Sequence, residues 1–148
     1  MGSIDPMELP EVIRWKEGWG IELDLRNFVA QRVSIAQAMA VSSLMFPDYI
    51  EVQNCIILRD KYDHDNFIEW WDNLNGNARE VEKIINHTHL WELFDPVEEI
   101  ENQALEMLAR QMAICWRVKA ESEFPGRRFD AVVTNDYGPT VTISSVKA

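Results

Sequence analysis

The sequence predicts an α+β fold: a single domain whose helices pack on a small antiparallel sheet built from two β-hairpins, at about residues 49–58 and 128–146. Three observations carry that expectation. Apolar residues recur at helical spacing over about residues 96–122, which marks one long central helix. Two pairs of β-prone runs each flank a short polar turn. The 148 residues hold no internal repeat, low-complexity tract or long linker, so residues 7–148 fit one globular domain.

The elements follow in chain order. Residues 1–6, "MGSIDP", precede a second methionine, Met7, and read as a remnant ahead of the native start. Leu9, Val12 and Ile13 then mark a short helix, ended by Gly18 and Gly20. "IELDL", residues 21–25, alternates apolar and charged and predicts a short strand. Ser34 is a good N-cap, because its hydroxyl can accept an orphan backbone N–H. The helix it opens carries Ile35, Ala38, Met39, Ser42 and Met45 at helical spacing and stops before Pro47. Its alanines and serines permit close packing on a neighbour.

"YIEV" and "CIIL" read as a hairpin around Gln53 and Asn54, since Asn tolerates the positive φ of a two-residue turn. Asp63 or Asp65 can cap the next helix, with Phe67, Trp71 and Leu74 on one face, Ile68 and Trp70 flanking, and Gly76 as its stop. A further helix starts near Asn77, with Val81, Ile84, Ile85 and Thr88 as its apolar stripe. Pro96 at the first helical position, followed by acids, opens the long helix. Val97, Ile100, Ala104, Leu108, Cys115 and Val118 form its main face, widened by Leu105, Met112 and Trp116. Phe129, Ala131 and Val133, then Val141 and Ile143 beyond the turn "NDYGP", alternate as the second hairpin.

Composition narrows the function classes. There are 25 acids against 14 bases, a formal charge of −11, which repels a nucleic acid and favours a basic protein partner. No basic segment precedes an apolar core, so no secretory signal is expected. The longest apolar runs are too short to span a bilayer. Two cysteines imply no disulfide framework and point to a reducing, cytoplasmic setting. The chain lacks G-x-G-x-x-G, P-loop, HExxH, CxxC and G-x-S-x-G patterns, which favours a non-enzyme without a cofactor.

His87 and His89 are the first candidates for chemistry. On a helix, residues two apart face nearly opposite ways, so the apolar pattern around them argues against a shared metal. His87, four residues before Trp91, is the histidine expected to reach a surface. Cys55 and Cys115 read as small buried hydrophobes rather than nucleophiles. Six tryptophans are the unusual feature. Trp70 and Trp71, with acids beside them, and Trp91 can anchor an interface. Tyr137, at the tip of "NDYGP", can act as a recognition side chain.

Two readings compete. The first is an acidic interaction domain, an inhibitor or immunity-type protein that neutralises a basic partner through Trp70, Trp71, His64, His87, Trp91 and Tyr137. An exposed tryptophan face would also favour a homodimer. The second is a small-ligand protein or enzyme with a pocket near His64, His87, His89 and Trp91.

Overall fold

The computed structural model describes residues 3–19, 21–135 and 137–146. Among the described residues, six α-helices and two small antiparallel sheets follow in the order α1 (Pro10–Glu17), α2 (Leu25–Arg32), α3 (Ile35–Met45), β1 (Tyr49–Val52), β2 (Cys55–Leu58), α4 (His64–Asn73), α5 (Ala78–Ile85), β3 (His87–His89), α6 (Glu99–Glu123), β4 (Phe129–Thr134) and β5 (Thr140–Ser145). The α+β class, both hairpins and the long helix are therefore present. The hairpins belong to two sheets rather than one: β1–β2 forms the first, and β3–β5–β4 the second. Gly20, Asp136 and residues 1–2, which figure in the sequence expectations, lie outside the described residues.

Local chemistry explains most boundaries. Ser34 Oγ accepts from Gln37 N at 3.0 Å while Gln37 Oε1 accepts from Ser34 N, a reciprocal capping box. Asp63 and Asn77 cap α4 and α5 in the same single-sided way. Gly76, at φ 69°, ends the α4 turn, and its N–H reaches back to Trp71 O at 2.8 Å. Gln53 and Asn54 both take positive φ, which closes the β1–β2 turn in the twist that hairpins prefer.

Three expectations differ. Residues 21–25 form no strand. Asp24 instead caps α2 in a second reciprocal box with Asn27, and two local hydrogen bonds outweigh a five-residue alternation that has no neighbouring strand. Pro96 does not open α6. The helix begins at Glu99, after Glu101 Oε1 has gathered the N–H groups of Val97 and Glu98. Its buried face is rotated from the expected one: Leu105, Ala109, Met112, Ala113, Trp116 and Ala120 are covered, and Val97 and Val118 are exposed. Alanines let the helix lie close on β4 and β5, so the small residues set the phase.

The apolar interior has two parts, one on each face of β2. Ile56 and Leu58 join Tyr49, Leu90, the α6 face, Phe129, Val141 and Ile143. Cys55 and Ile57 join Phe67, Val81 and Ile85 under Trp70, Trp71 and Leu74. All four β2 residues are consequently buried.

One helix stitches the two sheets together. Glu82 and Asn86, one turn apart on α5, are both fully buried between β2 and β5. Glu82 accepts from Ile56 N at 2.7 Å, Ser145 N at 2.9 Å and Ser145 Oγ at 2.8 Å. The Asn86 amide accepts from Leu58 N and donates to Ile56 O and Ile143 O, while its backbone carbonyl accepts from Ile143 N. Two side chains thus do the work of a missing strand, satisfying edge groups that would otherwise be buried without partners.

Candidate functional site

The segment after α5 was expected to stay helical through Thr88, which would have turned His87 and His89 apart. It does not. Asn86, committed to both sheets, leaves the helix at φ −87° and ψ 56°, and residues 87–89 pair with β5 in the register His87↔Thr142, Thr88↔Val141, His89↔Thr140. On a strand, alternate side chains share a face. His87, His89 and Trp91 form a ladder: the imidazoles meet edge-on with centroids 5.1 Å apart, and His89 stacks on Trp91 at 5.7 Å.

Hydrogen bonding fixes both tautomers. His87 Nδ1 lies 2.8 Å from Ile84 O, which can only accept, so Nδ1 carries the proton. Thr140 Oγ1 donates to Gly138 O and therefore accepts from His89 Nδ1 at 2.7 Å. In the neutral rings, each Nε2 keeps the lone pair. Among the described residues, no group of three or more His, Cys, Asp or Glu side chains is gathered to hold a metal ion. A two-imidazole edge offers hydrogen-bonding and stacking capacity and falls short of a closed zinc shell.

Trp91, 54% exposed, stands at the end of this ladder with Gly138 of the β4–β5 turn against its indole. Tyr137, 78% exposed, is the next residue in that turn. Beyond Trp91 the chain turns strongly acidic. Glu92, Asp95, Glu98, Glu99, Glu101 and Glu106 follow, and no Lys or Arg occurs from residue 84 to residue 109. Glu98, Glu99 and Glu101 sit at the α6 N-terminus, where the helix dipole favours negative charge. Leu93 and the 81%-exposed Val97 place apolar surface among these acids.

The other named residues lie elsewhere. Trp70 and Trp71 are half-buried on α4; both pack on the second core, and Trp71 stacks on Phe67 at 5.9 Å. His64, at the start of α4, shares a hydrogen bond with Tyr62 Oη at 3.2 Å. His87, Trp91 and Tyr137 therefore belong to one region, and His64, Trp70 and Trp71 to another.

A separate cleft of about 1050 Å³ lies between the β1–β2 turn, the start of α5 and the 126–128 turn. Arg127 dominates it, donating to Glu51, to Asn54 O and to Ser145 Oγ, each at 3.0 Å. Arg79, paired with Asp130, and Arg128 add charge, against Glu51 and Glu80. None of His64, His87, His89 or Trp91 lines this cleft.

Glu82, Asn86 and the cleft were not anticipated from the sequence. A signal existed for the first two: Glu82 and Asn86 fall on the apolar side of α5, beside Val81 and Ile85, where an unpaired polar residue needs a partner. Both thiols are free, with Cys55 buried and Cys115 half-buried. Burial, and then the Glu82 carboxylate, push the Cys55 thiol up to about 12 against a smaller opposing pull from Arg127. Burial likewise raises Tyr49, whose hydroxyl donates to Trp116 O at 2.9 Å. Among the described residues, no helix is long and apolar enough to cross a membrane. No protein-family model matches the chain, and no curated protein or solved structure is significantly similar to it.

Proposed function

We propose that this protein is an acidic interaction domain that holds a basic protein partner, in the manner of an inhibitor or immunity-type protein. One observation supports the reading above the others: Trp91, exposed and stacked on His89, opens a 19-residue stretch, residues 91–109, that bears six acids and no Lys or Arg. A half-desolvated tryptophan with a polar rim is the composition of an interface hot spot, and the surrounding acids would steer a basic surface to it. Tyr137 on the neighbouring turn extends the same face. A cytoplasmic setting, where thiols stay reduced, belongs to this proposal.

The test uses a panel of small basic nucleases, with neutral proteins of similar size as controls. Binding measured by calorimetry should weaken as salt rises, because exposed charges are screened. Trp91→Ala should cost about 2 kcal/mol or more, as an anchor residue does. Glu92→Lys with Asp95→Lys should slow association while leaving the fold intact, since both side chains are exposed and neither sits at the start of α6. Binding indifferent to salt and to all three substitutions would overturn the proposal.

A further inference from the structure

The first two and a half turns of α3 are bare on every side. Each residue from 35 to 43 is exposed, although the helix is built from Ile, Ala, Met, Val and Ser with one Gln. Ile35 is 85% and Met39 62% exposed. Only the last turn is docked: Leu44 and Met45 touch the core, and Trp116 Nε1 donates to Leu44 O at 2.8 Å. An apolar helix normally earns its helicity from burial, and an isolated one of fewer than ~12 residues is marginal in water. The α2 helix continues the feature with Leu25 and Val29 exposed one turn apart.

We infer that a second copy of this chain covers α2 and α3, forming a two-fold dimer in which α3 packs antiparallel against its symmetry mate. This goes beyond the proposed function and uses a different surface from the Trp91 face. Three arguments select a second copy. The first is charge: residues 33–47 carry none, and residues 21–32 balance Glu22 and Asp24 against Arg26 and Arg32. On a chain of net charge −11, this is the stretch where two copies meet without like charges in contact. A basic partner finds nothing there to complement, and a membrane-surface helix would carry Lys or Arg on its polar side.

The second argument is area. Taking roughly 150 Å² for each aliphatic side chain, the low end of the range for large apolar side chains, the exposed fractions of Ile21, Leu25, Val29, Ile35, Met39 and Val41 leave on the order of 500 Å². The alanines between them add to that, and a standard interface takes about 800 Å² from each partner. The third is self-complementarity, which a two-fold interface requires. Ala36, Ala40 and Ser43 form a small-residue row at helical spacing, and Ile35 and Met39 form a bulky row beside it. In an antiparallel pair, each bulky row meets the other copy's small row.

Sedimentation equilibrium at low and high salt tests the inference. The expected mass is twice the 17.2 kDa of the chain, undiminished by salt. Ile35→Glu with Met39→Glu should give monomer with an unchanged near-ultraviolet spectrum, because both side chains are exposed and neither belongs to the core. Val97→Glu, comparably exposed just ahead of α6, should leave the dimer intact. In a Cys115→Ser background, Ala40→Cys should form a disulfide between copies under mild oxidation. A monomeric wild type at every concentration overturns the inference, as does a dimer that survives the double substitution. Loss of the disulfide in the Ala40→Cys protein, or a monomer that binds neutral lipid vesicles through α3, also overturns it.

Discussion

Cys55 illustrates what a single residue inherits from its surroundings. Its Sγ lies in the second core, 3.6 Å from Ala78 O, with the Glu82 carboxylate nearby. Burial and that negative charge both disfavour the thiolate, so the thiol is held up to about 12 when folded, against 9.0 for an unperturbed cysteine. The native state then binds the proton more tightly than the unfolded one. Stability from this group is complete below pH 9 and is lost as pH rises from 9 toward 12. Denaturant midpoints measured across that range should fall more steeply in wild type than in Cys55→Ala. A thiol reagent at neutral pH should label half-buried Cys115 and spare Cys55 until the protein unfolds. The buried-hydrophobe reading holds fully for Cys55 and in part for Cys115. The histidines show the converse. Their residue types were plain, but their relative direction depended on whether the backbone was helix or strand, and Asn86 settles that.

At the scale of elements, α5 is a connector between sheets. Its two polar side chains supply seven hydrogen-bonding contacts across the β2–β5 gap when the Asn86 carbonyl is counted. Removing Glu82 leaves the buried Ile56 N and the part-buried Ser145 N without acceptors. Glu82→Ala should therefore cost about 3 kcal/mol, since each orphaned buried group costs roughly 1–3 kcal/mol. Asn86→Ala should be of similar size and should also perturb β3, whose first residue follows it. Equilibrium denaturation of each variant, read with amide exchange at Ile56 and Ser145, checks this. A loss below about 1 kcal/mol with both amides still protected would remove the strand-substitute role. The rotated face of α6 belongs at this scale too. Large apolar residues marked out a helix, and alanines chose which side of it faces the sheet.

For the whole molecule, the charge distribution sets two opposite responses to salt. Net charge −11 destabilises the folded chain through self-repulsion, and the acids between residues 84 and 109 concentrate it. Added salt should raise the melting temperature while weakening the proposed basic complex, and both effects should saturate over the same ionic-strength range as the Debye length shrinks to a few ångströms. A differential scanning calorimetry series in sodium chloride measures the first. A melting temperature that falls with salt would show that favourable pairs, such as Arg127–Glu51 and Arg79–Asp130, outweigh the repulsion.

The sequence by itself determined the class, both hairpins, the long helix and most caps, because these rest on interactions within a few residues: Ser34 with Gln37, Asp63 with Asn66, and the Gln53–Asn54 turn. It also placed His87, Trp91 and Tyr137 among the candidates. Only the tertiary structure decided that the hairpins lie in separate sheets, that Glu82 and Asn86 fill the gap between them, and that α3 stands bare. Those outcomes depend on which distant backbone groups are left without partners once the chain has folded, and no local pattern records that.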